Sequence, residues 1–150
     1  MKSIFLLAIA SAISVSCSSA KPGDSVLNQE VPYEVAKNYF VKNNIDAAIV
    51  NPKFENQQDF DQVFGMATAM GESGKPTAID FSKEFAVAQI EDPSTQKVEL
   101  KPISTRKNAN ILEIKYRKIV GENQSYTSQP VMILIIDNTY NGDVNFVEVK

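Results

Sequence analysis

The sequence predicts an α+β fold, built mostly from an antiparallel, curved β-sheet with one helix packed on it near residues 56–65. Three observations lead there. Residues 131–136 read VMILII, an apolar run of the kind that fills a central strand buried on both faces. Leu112, Ile114 and Tyr116 alternate with Glu113, Lys115 and Arg117, the period of a strand with one face in the core and one in water. Phe60, Val63, Phe64 and Ala67 recur at spacings of three and four, which makes the buried stripe of a helix.

Taken in order, residues 18–32 (SSAKPGDSVLNQEVP) combine Ser, Pro, Gly and charge, and read as a flexible tether ahead of a single domain over 33–150. Tyr39-Phe40-Val41 favours a strand over Ala36 to Lys42. Ala47 to Val50 forms a second short strand, stopped by Asn51-Pro52 because proline cannot donate to a ladder. Asn56 caps the helix, with Asp59 three residues on as a capping-box acid, and Gly65 ends it. Met66 to Pro76 is loop. FAVAQI at 85–90 is strand-like and is ended by Glu91-Asp92-Pro93. Val98 to Leu100 and Leu112 to Arg117 form a hairpin around the polar turn Arg106 to Asn110. Phe146 to Val149 closes the sheet beside VMILII.

The first residues point to export. Lys2 supplies a basic start, Ile4 to Ile13 (IFLLAIASAI) a short apolar stretch, and Ser14 to Ala20 a zone of small residues, together a secretory signal over 1–16. A permanent span needs ~20 apolar residues, so this stretch is too short to remain in a bilayer. Ser14-Val15-Ser16-Cys17 resembles the lipobox of bacterial lipoproteins, which implies lipidation at Cys17 and a membrane held through that anchor. The alternative is ordinary cleavage after Ala20. Ser18, which is not acidic, favours the outer membrane within the cell envelope, with the domain facing the periplasm or the surface.

Removing residues 1–16 leaves 134 residues and, with Lys2 gone, moves the formal net charge from −3 to about −4. A weakly acidic chain offers no clustered cations for nucleic acid. The chain has no histidine, and its one cysteine lies at the processing site. Ser-His-Asp and Cys-His catalysis and His/Cys zinc sites are therefore excluded. No catalytic, cofactor-binding or metal residue stands out, no cofactor is called for, and the chain reads as a non-enzyme.

Five features of the sequence have the form of a site. Asp137-Asn138-Thr139-Tyr140-Asn141-Gly142, followed by Asp143, Asn145 and Glu148, has the oxygen spacing of a calcium loop, but Asn-Gly between apolar runs is a β-hairpin signal and wins. Asp59 and Asp61 point to different sides of a helix and read as helix-start acids. Asp80 with Lys83 reads as a local cap. Lys97, Lys101, Arg106, Lys107, Lys115, Arg117 and Lys118 gather basic charge, with Lys115 and Arg117 outward on one face. Such a face docks an acidic partner or a lipid surface, or is simply solvated. Asp24-Ser25-Val26 resembles a bacterial O-glycosylation acceptor.

Asp80-Phe81-Ser82-Lys83 leading into FAVAQI, and Gln129-Pro130 ahead of a strand, resemble the C-terminal domain of PrcB-type protease-complex accessory proteins over residues 54–148. Glu91-Asp92-Pro93-Ser94 stands where a Gly-Gly-Tyr-like stretch is expected, so no functional residue is carried over. The layout is also similar to short Bacteroidetes lipoproteins of unknown role. The resemblance implies an exported, non-catalytic binding or accessory module with an envelope protein as partner, an envelope protease in one version. A small-ligand-binding or carboxylate-based enzymatic domain is the alternative.

Overall fold

The structure is a computed structural model that describes residues 28–43, 45–46, 51–68, 71 and 74–150. Cys17, the Asp24 to Val26 pattern and the strand expected at 47–50 lie outside the described residues. In chain order the strands are β1 (Gln29–Glu30), β2 (Glu34–Val35), β3 (Tyr39–Val41), β4 (Lys53–Phe54), β5 (Phe64–Met66), β6 (Glu84–Ile90), β7 (Ser94–Asn108), β8 (Ile111–Ser128), β9 (Val131–Asp137) and β10 (Asp143–Glu148). Helix α1 (Gln57–Val63) lies between β4 and β5, and a 3-10 turn (Asn138–Tyr140) between β9 and β10.

The expected α+β composition holds: strands dominate, most pairings are antiparallel, and one short helix accompanies them among the described residues. The single expected sheet is instead two four-stranded sheets and a two-stranded ribbon. One sheet has the order β2-β9-β6-β4 and the other β1-β7-β8-β10. Met132 to Ile136 are all buried, so the apolar run is buried on both faces as its composition required. Along β6 and β9, Phe85, Val87, Met132, Leu134 and Ile136 face the other sheet and meet Leu100, Leu112, Ile114 and Tyr116 there. Ala86, Ala88 and Ile133 face the opposite way, toward Val41, Phe54, Phe60 and Phe64. The result is three layers, with α1 and the β3–β5 ribbon outermost.

The helix is anchored by one ring. Phe60 is fully buried, and its centroid lies 5.1 Å from Tyr39, 5.7 Å from Phe54, 4.7 Å from Phe64 and 5.8 Å from Phe81. Asn56 caps the helix as expected, its side chain accepting from Asp59 N–H at 2.9 Å. The helix stops at Val63, two residues before Gly65, because Phe64–Met66 pairs with Tyr39–Val41. Phe64 enters the core from that strand, and Ala67, expected on the helical stripe, is exposed. Gly65 sits opposite Phe40, whose ring occupies the space a Cβ would need.

The expected hairpin is longer and tighter than its polarity suggested. Arg106, Lys107 and Asn108 pair with Glu113, Leu112 and Ile111, leaving Ala109 and Asn110 as the turn. Arg106 and Asn108 mark the outer sheet face rather than a loop, and Lys107 lies opposite buried Leu112. The register shifts between Pro102 and Ser104, so Ile103 is an extra residue on β7. Val98 and Leu100 face inward before it, and Thr105 is buried after it.

Two further expectations are corrected. Val31, assigned to the tether by its polar neighbours, is buried in the core, and its N–H donates to the Thr105 carbonyl at 2.9 Å. The last strand is not the neighbour of VMILII: β10 pairs in parallel with β8, from Asp143 opposite Ile111 to Glu148 opposite Tyr116. Phe146 packs against the core between the sheets, and that burial outweighs a local hairpin.

Thr105 is 1% exposed, and among the described residues its Oγ1 has no hydrogen-bond partner. A buried hydroxyl without a partner costs about 1–3 kcal/mol. Thr105→Val keeps the shape and removes the hydroxyl, so urea unfolding should show a gain of about 1 kcal/mol. Gly142→Ala should act in the opposite direction, because its Cβ would fall onto the Asn110 carbonyl oxygen, which accepts from Asp143 N–H at 2.7 Å. A loss of about 1–3 kcal/mol in the same assay is expected.

Candidate functional site

Two chain connections lie side by side at one end of the molecule. Glu91 to Pro93 joins β6 to β7, and Gln129-Pro130 joins β8 to β9. Glu91 N–H donates to the Pro130 carbonyl at 2.9 Å, and Ser94 pairs with Ser128. Proline at both connections ends the ladders, Pro93 where the sequence marked a strand stop. Pro93 then walls a groove on each side.

The larger groove has a volume of about 590 Å³ and runs between Phe40, Asn43 and Ile45 on one side and Thr127, Ser128 and Gln129 on the other. None of its described lining residues is ionisable. Phe40 is 48% exposed, and its ring rests over Gly65. The smaller groove, about 290 Å³, is lined by the paired Val98 and Val120, by Pro130, and by Glu91 and Lys118.

Glu91 is the electrostatic node of this end. Its carboxylate accepts from Lys118 Nζ at 2.6 Å, from Gln89 Nε2 at 3.2 Å and from Tyr116 Oη at 3.4 Å. Burial alone would raise the Glu91 pKa, but the hydrogen bonds from Lys118 and Gln89 and the Lys118 charge outweigh it, and the net shift is downward. Burial, followed by the negative charges of Glu91 and Glu148, pushes the Tyr116 phenol up to about 12. Tyr116 thus stays protonated at neutral pH and serves as a donor. The cluster joins β6, β8 and the connection between β6 and β7; its groups satisfy one another.

The other candidates are dispersed. Asp59 accepts from Asn56 Nδ2 at 2.8 Å and Asp61 from Gln57 Nε2 at 2.7 Å, each within its own turn. Asp80 accepts from Ser82 and pairs with Lys83 at 3.3 Å, a local cap. The seven basic residues do not form one face. Lys115 and Arg117 point outward, as alternation requires, but Lys115 pairs with Glu113 at 3.4 Å and Lys101 with Glu99 at 3.5 Å. Arg106 lies opposite Glu113 and Glu30. Lys118 turns inward to Glu91, and Lys107 Nζ donates to the Asn141 carbonyl at 2.6 Å.

The Asp137 to Glu148 segment is neither a helix-flanked calcium loop nor a hairpin. The strands on its two sides belong to different sheets, and Asn141 (φ −54) and Gly142 do not take the positive φ that an Asn-Gly hairpin turn uses. Lys53 Nζ donates to Asn141 Oδ1 at 2.8 Å and lies 3.3 Å from the Gly142 carbonyl, so two lysines bind the oxygens of this loop. Among the described residues no group of three or more acidic, His or Cys side chains is arranged to hold a metal ion. Sequence reasoning missed both grooves, whose walls come from distant segments; only Pro93 signalled them, as a strand stop.

The lowered Glu91 pKa means that its interactions stabilise the fold above the unfolded carboxyl value and are lost as pH falls through the folded value. Glu91→Gln should cost about 1–2 kcal/mol at pH 7. Its deficit relative to the unmutated chain should shrink toward pH 3, as read by urea unfolding at both pH values. Neither a family model, a curated protein nor a solved structure matches the chain.

Proposed function

We propose that this chain is an exported protein of the cell envelope, anchored in the outer membrane by lipid on Cys17, whose domain is a non-catalytic module that docks on another envelope protein. The observation that carries the docking reading is the grooved end. Two grooves flank Pro93, and the smaller one exposes Val120 beside Val98, an apolar strip with a polar rim. Interfaces concentrate their energy in such apolar centres with polar edges. The anchoring reading rests on the short apolar stretch handing over to Ser-Val-Ser-Cys17. Several acyl chains would hold the protein firmly, because each buried methylene contributes ~0.8 kcal/mol. An envelope protease is the partner class implied by the resemblance to PrcB-type accessory proteins. The register shifts along β7 and β8 further support a curved sheet.

The enzymatic alternative draws less support, since Asp80, Tyr116 and Tyr126 line neither groove. A ligand-binding role is favoured by the larger groove, whose described lining carries no charged side chain.

Metabolic labelling with a fatty acid should mark the full chain, and Cys17→Ser should abolish the label and release the protein from membranes. A photo-crosslinking residue at Val120 should capture one reproducible envelope protein in intact cells, while one at Lys83, away from both grooves, should not. Label persisting in Cys17→Ser counts against the anchor, and the absence of any reproducible adduct at Val120 counts against docking.

A further inference from the structure

We infer that the larger groove is a binding site for a neutral oligosaccharide, with Phe40 as the stacking platform. Three observations converge on that chemistry. The first is the ring itself. Phe40 is an edge-ribbon aromatic left 48% exposed, and it is held over Gly65, where even a Cβ would lie 2.8 Å or less from two of its ring atoms. A bare glycine beneath one face fixes the ring while the groove receives the rest. A large, rigid aromatic surface of this kind binds with little loss of conformational entropy.

The second observation is the opposing wall. Thr127, Ser128 and Gln129 line the side opposite Phe40, and Asn43 lines Phe40's own side, so residues bearing amides and hydroxyls border the groove. These groups both donate and accept, which is what a ligand made of hydroxyls requires. The third is charge. The described lining carries no ionisable side chain, in a domain otherwise laced with ion pairs, so among the described residues neither an acidic sugar nor an ionic peptide finds a counter-charge there. The volume of about 590 Å³ lies within the ordinary range for small-molecule sites and accommodates two or three sugar rings.

A pyranose has one face of C–H groups and a perimeter of hydroxyls. Its apolar face would lie on Phe40 and its hydroxyls would reach the amide and hydroxyl wall. The strand register supports this division, because Tyr39, next to Phe40, points the other way, onto Phe60. The platform can therefore change without disturbing the core.

The inference goes beyond protein docking and stands apart from it: crosslinking at Val120 in the smaller groove succeeds or fails regardless of the outcome here. The test uses the full chain in detergent, titrated with linear hexasaccharides of glucose, mannose, xylose and N-acetylglucosamine, and with oligogalacturonate as the acidic comparator. At least one neutral hexasaccharide should bind saturably by calorimetry. Phe40→Ala should weaken it by about tenfold or more, whereas Phe40→Trp should retain it. Gln129→Ala should weaken it by about threefold or more, with thermal unfolding showing each variant folded. The assignment is overturned if no neutral hexasaccharide saturates below about 10 mM. It is also overturned if folded Phe40→Ala binds as well as the unmutated chain, if oligogalacturonate binds more tightly than every neutral sugar, or if an uncharged proline-rich peptide occupies the groove while no sugar does.

Discussion

The burial of β6 and β9 on both faces is the constraint on which the rest of the architecture depends. A strand whose five consecutive residues Met132 to Ile136 are all buried cannot rely on water for either face. One face needs the second sheet, and the other needs the aromatic layer of Tyr39, Phe54, Phe60, Phe64 and Phe81. Helix α1 exists within that requirement. Seven residues are too few for a helix to persist alone in water, and this one is held because Phe60 fills the middle of the aromatic layer.

The two large sheets are laced by the chain rather than merely stacked. The short first and second strands belong to different sheets, with Val31 between them in the core. At the far end the chain passes from β9 to β10 and changes sheets again. That last crossing is where the lysines from β4 and β7 bind the carbonyl and amide oxygens of Asn141. An Asn-Gly pair that would turn a chain back on itself elsewhere is here an extended crossing, with Gly142 chosen because Asn110 leaves no room for a side chain.

Local signals in the sequence were legible wherever one residue pattern had one physical reading. VMILII, FAVAQI, the Asn56 cap and the inward alternation of Leu112, Ile114 and Tyr116 all appear in the structure. Partner choice was not legible, because it depends on which apolar face is left uncovered elsewhere in the fold. Phe146 goes to the core between the sheets rather than beside β9, and Phe64 leaves the helix to pair with Val41. Polarity misled for a related reason: Arg106 and Asn108 are polar because they face outward from a paired strand, Arg106 opposite Glu113, while Lys107 lies opposite buried Leu112 and directs its ammonium to the Asn141 carbonyl. The grooves were invisible for the same cause, since Phe40 and Gln129 are far apart in sequence and only the folded chain brings their segments together.

Ile103 has a meaning that its exposure hides. Removing it would join Pro102 directly to Ser104 and restore an unbroken two-residue rhythm, with Leu100 and Thr105 still turned toward the interior. The position therefore contributes nothing to what β7 buries. What it supplies is local twist in the longest pairing of the molecule. A lineage that lost this one residue would be expected to keep its core and change the set of the ribbon, altering what the distal end presents to its surroundings.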